Sequence, residues 1–187
     1  MVSLTTLWLP ILVAAVLVFV ASFVAQMVLR YHWTDHRKVP SEDALMDAMR
    51  PFNLAPGNYH MPFHSSPAAM KDPEFVAKMK KGPIVLMTVF PTGAIGMGSR
   101  LAAWFVFCLV VGLFAAYLTS RALPIGSAYM DVFRFTSTVA FLGYGLALWM
   151  NTIWFNQAWT TTAKYTVDAL AYGLLTGGAF GWLWPQG

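Results

Sequence analysis

The sequence predicts an all-α membrane protein: four transmembrane helices in an antiparallel bundle, with a long polar loop between the first and second. Three observations carry this. Residues 7–29 (LWLPILVAAVLVFVASFVAQMVL) form an apolar run without a charge. The chain is 58% hydrophobic but only 11% charged, where soluble domains average about 25% charged residues. Further apolar runs then recur at 101–119, 129–150 and 162–184. A helix of about 20 apolar residues, rising 1.5 Å each, crosses the ~30 Å hydrocarbon layer.

The first span carries Pro10 in its opening turns, where a missing N–H costs little. The preceding residues, MVSLTT, contain no Lys or Arg, and the apolar run outlasts a signal-peptide core. An uncleaved anchor is therefore expected. At Arg30 the character changes. Residues 30–83 hold all four histidines, six of the eight acids and eight of the twelve Lys and Arg. Two short helices are expected in this water-facing segment. One follows Ser41 as N-cap, with Glu42 and Asp43 in its first turn, and stops at Pro51. The other has Asp72 as N-cap and Pro73 at the first helical position, with Lys78, Lys80 and Lys81 in its last turn before Gly82 and Pro83. With Phe75, Val76 and Met79 on one face, this basic helix suits the surface of an anionic leaflet. An ordinary surface helix has the same pattern. Residues 84–90 (IVLMTVF) are too short to span; they suit a strand, hairpinned through Pro91-Thr92-Gly93, or an interfacial segment.

Aromatic residues cluster at both ends of the spans, as belts at the two interfaces do. Arg30, Arg37, Lys38, Lys80, Lys81 and Arg100 crowd one side, which the positive-inside rule assigns to the cytoplasm. The expected location is a bacterial inner membrane, with the long loop inside and both termini outside.

The fourth span bears the sharpest patterns. Ala169, Gly173, Gly177 and Gly181 recur every four residues, a small-residue stripe that lets another helix approach closely. Beside it run Lys164, Asp168, Tyr172 and Thr176. These suit a polar path or headgroup site; equally, Lys164 and Asp168 can pair near the helix start while Lys164 snorkels. Arg100 is the expected interhelical partner of Asp168. Asp131 and Arg134 form a second polar cluster at the opposite face. No ionisable residue sits at a span centre, which argues against a pump.

The histidines form two i, i+4 pairs, His32/His36 and His60/His64, weak candidates for a metal site with Asp35 as an added ligand. Pro62 interrupts the second pair. Cys108 lies in an apolar run and reads as a small buried hydrophobe. Gly93, Gly96 and Gly98 precede a membrane span rather than a βαβ unit, so a hinge explains them better than a phosphate loop. No GxSxG, HExxH or CxxC motif occurs.

These features point to a non-enzymatic protein without a cofactor, acting by helix association. The expected role is an accessory subunit of a respiratory, photosynthetic or transport complex, or a homo-oligomer. Its partners would be membrane lipids and other membrane subunits or itself, and not nucleic acid. A small transporter using the polar stripe is the first alternative. A metal- or haem-binding protein using the loop histidines is the second.

Overall fold

The computed structural model describes residues 2–93 and 96–186 and is mostly helical. Its contacts divide the chain into two units, residues 1–37 with 96–187 and residues 38–95. Among the described residues, three stretches are long and apolar enough to cross a membrane: Leu4–Val28, Met97–Ala122 and Tyr129–Phe155. The chain is thus a membrane protein by length and composition of its helices.

In the first unit, a 3-10 turn at Leu4–Leu7, capped by Ser3, leads into α1 (Trp8–Phe23). Its last turn widens into a π segment at Val24–Val28, closed by the Leu29 N–H donating to the Val24 carbonyl at 2.9 Å. Arg30 then takes a left-handed conformation (φ 56°), and a 3-10 turn at Tyr31–Thr34 follows. The long helix α4 (Met97–Ala122) exceeds the predicted 101–119 at both ends. The helix α5 (Tyr129–Gly145) tightens into a 3-10 turn at Leu146–Leu148 and resumes as α6 (Trp149–Phe155). The break follows Gly145, where a Cβ would lie 2.8 Å from the Cβ of Ala169. The last helix, α7, runs Trp159–Leu183.

α7 packs on α5 and α1, α1 on α4, and α4 on α5. Buried residues form two groups along this assembly. Leu7, Ala14, Ala116, Val132 and Phe180 lie toward one end, with Ala15, Val18, Cys108, Ala140, Ala169 and Tyr172 toward the other. Trp184 donates from its indole N–H to the Pro124 carbonyl at 3.0 Å, and Gly126 N–H to Pro185 at 3.0 Å, tying the chain's last turn to the α4–α5 connection.

The small-residue stripe is occupied within the chain. A Cβ on Gly173 would lie 2.9 Å from the Ser137 carbonyl oxygen, and one on Gly181 2.8 Å from the Tyr129 ring. A Cβ on Gly177 would overlap the Ser137 hydroxyl and lie 2.7 Å from the Phe133 carbonyl oxygen. The stripe therefore lets α5 and α7 meet backbone to backbone, where dispersion and Cα–H···O contacts replace the hydrophobic effect that lipid does not supply.

The second unit holds α2 (Glu42–Met49), α3 (Pro73–Lys81) and a two-stranded antiparallel sheet. Asp72 caps α3 as its side chain accepts the Glu74 N–H at 2.8 Å. Ser41 precedes α2 in a left-handed conformation and makes no side-chain cap, so only its carbonyl engages the helix, accepting from Leu45 N–H at 3.1 Å. The 84–90 segment does form a strand, β2 (Val85–Val89), but not a hairpin through Pro91. Its partner is β1 (Gly57–Met61), with Tyr59 opposite Met87. The hinge expected at Gly93, Gly96 and Gly98 includes Ala94 and Ile95, which lie outside the described residues.

Candidate functional site

The first unit contains a buried ionic cluster built from two distant parts of the sequence. The left-handed Arg30 and the following 3-10 turn reverse the chain after α1, so that His32 points back among the helices. Its side chain is 4% exposed, and those of Asp35 and Asp168 are 4% and 7% exposed. His32 Nδ1 lies 2.6 Å from Asp35 Oδ2, and Nε2 lies 2.7 Å from Asp168 Oδ2. Tyr31 donates its hydroxyl to the other oxygen of Asp168. The imidazole is stacked on Tyr165 and lies tilted against Tyr31, at ring-centroid distances of 4.6 and 4.4 Å.

Lys164 closes the cluster. Its ammonium donates to Asp35 Oδ1 at 2.7 Å, to the Tyr31 carbonyl at 2.7 Å and to the Thr34 hydroxyl at 2.8 Å. All three of its donors are used, and its side chain, 25% exposed, marks the cluster's outer edge. Thr161 adds a third side-chain bond to Asp35, at 3.2 Å. Burial alone would raise the Asp35 carboxyl, but hydrogen bonds and charge from Lys164 and His32 outweigh it and hold it below its ordinary value. Both nitrogens of His32 face carboxylate oxygens, an arrangement satisfied by an imidazolium donating from each. With that donor pattern two carboxylates face one ammonium and one imidazolium, so the charges balance.

Against the inner side of this cluster lies a cavity of about 670 Å³, within the range of small-molecule sites. α1 supplies Phe19, Ser22 and Phe23, with Gln26 from the π segment, and α4 supplies Leu101, Trp104 and Phe107. Gly143 and Tyr144 come from α5, Ala147 from the break after it, and Tyr165, Asp168 and Tyr172 from α7. The walls are mainly apolar. Asp168 is the one acid among the lining residues, and it is shared with the ionic cluster. Trp104 donates its indole N–H to Ser22 at 2.9 Å, leaving its ring for the cavity. The Trp104, Tyr144 and Tyr172 rings form a triangle with centroid separations of 6.3, 6.3 and 5.6 Å.

The predicted site residues divide clearly. Lys164, Asp168 and Tyr172 of the polar stripe reach the cluster or the cavity, whereas Thr176 donates back to the Tyr172 carbonyl at 2.8 Å. Lys164 and Asp168 do not pair with each other; Asp35 takes the ammonium and His32 the deeper carboxylate. The expected partner of Asp168, Arg100, sits exposed in the first turn of α4, while His32 and Tyr31 hold that carboxylate. Asp131 and Arg134 are exposed at the start of α5, near the far end of the helices. In the second unit, Lys78 pairs with Glu74 at 2.7 Å, and Lys80 and Lys81 are exposed beside it.

His32 and His36 do not converge: His32 is engaged by carboxylates on both nitrogens and His36 is exposed. His60 and His64 approach edge to face, with centroids 6.0 Å apart, and His64 packs on Phe75. Among the described residues, no group of three or more His, Cys, Asp or Glu is placed to hold a metal ion.

Sequence reasoning missed Tyr31, Thr161, Tyr165 and the aromatic triangle as members of one site. The i, i+3 spacing of His32 and Asp35 was a local signal for their contact. Nothing local links them to residues more than 120 positions away. The chain matches no protein-family model, no curated protein and no solved structure.

Proposed function

We propose that this is a membrane-embedded binding protein for a small amphipathic molecule, held in the cavity with its polar end toward Asp168. The observation that carries the reading is the 670 Å³ apolar cavity with a buried carboxylate in its wall, oriented by His32 and Tyr31. Small-molecule sites have this composition: apolar walls for affinity and a few fixed polar groups for orientation. Residues whose side chains are locked by neighbours hold such geometry best, and the stacked, doubly bonded His32 does this for Asp168.

In this reading α7 is a fourth membrane crossing. Its 25 residues extend about 37 Å at 1.5 Å per residue, and Lys164 lies near one end, where it can snorkel. The ionic cluster then sits at the interface from which the long connection leaves, on the cytoplasmic side by the distribution of Lys and Arg. Association with other subunits, suggested by the Ala169–Gly181 periodicity, loses that motif as support because α5 of the same chain fills it.

The test is native mass spectrometry and extraction of small molecules from protein purified in a mild amphiphile. A defined molecule enriched over bulk lipid is expected. Ala147→Trp, which places an indole in the cavity away from the ionic cluster, should deplete it. A wild-type protein carrying only lipids in the proportions of the surrounding membrane overturns the reading.

A further inference from the structure

The cavity wall joins two features that recognise the same chemistry. One is the group of Trp104, Tyr144 and Tyr172 in its wall, whose ring centroids lie 5.6–6.3 Å apart. Aromatic faces within about 6 Å of a cation attract it, most strongly when water is excluded. The other is Asp168, whose charge is balanced from behind by His32 rather than from within the cavity.

The groups facing His32 can be enumerated. Tyr31 and Asp35 come from its own segment, and Lys164, Tyr165 and Asp168 from α7. Tyr172, Tyr144 and Cys108 lie farther in, toward α4 and α5. Lys164 is committed to Asp35, so His32 is the group that balances Asp168. In a low-dielectric site a second positive charge beside this pair would be costly. A cation entering the cavity brings a second, and the mobile one is the imidazolium proton.

Resting on the binding reading above, we infer that the cavity takes a lipophilic monovalent organic cation, and that one proton leaves the cluster as it enters. His32 keeps one N–H for Asp35 and gives up the other proton. Asp168 exchanges the His32 contact for the cation while retaining the Tyr31 hydroxyl. The proton lost is the one on Nε2, which faces Asp168 in the cavity wall, and it passes to water as the cation enters. Charge is conserved: one cation enters and one proton departs.

The experiment uses the full chain in nanodiscs of zwitterionic lipid, with empty nanodiscs as the partition control. Tetraphenylphosphonium is the cationic probe and triphenylphosphine oxide the neutral one. Calorimetry in two buffers of different ionisation enthalpy counts the protons. The expected result is cation binding with release of about one proton, an affinity rising by up to about tenfold per pH unit, and tenfold or weaker binding of the neutral probe. Asp168→Asn should lose at least tenfold in cation affinity, and its thermal transition reports whether it has folded. Ala147→Trp, remote from the cluster, should lose binding of either probe. Equal binding of both probes, or cation binding without proton release, overturns the exchange and leaves the binding reading standing. Failure of both probes to bind above empty nanodiscs overturns the two together.

Discussion

Replacing His32 by Ala removes the imidazole between two buried carboxylates. Among the described residues, Asp168 is held by hydrogen bonds from His32 and Tyr31, whereas Asp35 retains Lys164 and Thr161. The damage therefore falls mainly on Asp168, left as a buried charge with one neutral donor. Removing one member of a buried ion pair typically costs about 3–5 kcal/mol, because the other charge stays desolvated. For a chain of this size, 1 kcal/mol shifts the melting temperature by about 2–4 °C, so His32→Ala should lower it by roughly 6–20 °C. The assay is thermal unfolding in detergent followed by far-UV circular dichroism at neutral pH. Asp168→Asn in the same background should recover a large part of the loss, since it removes the stranded charge. A His32→Ala melting temperature within about 2 °C of wild type, or no recovery in the double variant, refutes the cluster as a charge-balanced unit.

Gly177→Ala forces a methyl onto Ser137 and the Phe133 carbonyl, an overpacking expected to cost about 1–3 kcal/mol. The neighbouring Gly178→Ala meets nothing nearer than 3.9 Å and should be neutral or stabilising by up to about 1 kcal/mol, the propensity gain of Ala over Gly, so the pair of melting temperatures separates close packing from helix propensity. Asp35 has a depressed carboxyl in the folded state. Its contribution is complete above the ordinary value of 3.8 and is lost as the pH falls through the lower folded value. Asp35→Asn should therefore flatten the stability profile measured from about pH 6 down to pH 3, relative to wild type. Trp104→Phe keeps an aromatic wall but removes the bond to Ser22, and should cost about 0.5–1.5 kcal/mol, read by the same melts.

The parts of the fold that sequence revealed are those set by local chemistry. Asp72, Pro73 and Gly82 mark both ends of α3 because a cap, a preset φ and a left-handed stop each act within a few residues. Hydropathy locates three spans because crossing lipid is a property of one segment alone. α7 is a weaker signal, since its five threonines, Lys164 and Asp168 dilute the apolar average, and Thr161, Lys164 and Asp168 serve the cluster. The pairing of Tyr59 with Met87 joins strands across α3, and turn residues at Pro91 gave a more local alternative. The site was half visible: the α7 stripe carried Lys164 and Asp168, but their true partners sit on the turn after α1. Periodicity describes one helix face. It does not say which residue another segment will bring to it.

The widened turn at Val24–Val28 gives this architecture a particular sensitivity to chain length. A π turn is a helix with one residue more than its hydrogen bonding needs. A further residue inserted there exceeds what one widened turn absorbs, and leaves hydropathy nearly unchanged. It would rotate everything that follows by about 100°, carrying Tyr31, His32 and Asp35 away from α7. The same membrane helix would form, without its ionic cluster. A single-codon insertion in this stretch is thus a way to separate insertion into the bilayer from assembly of the site, two properties that point substitutions alter together.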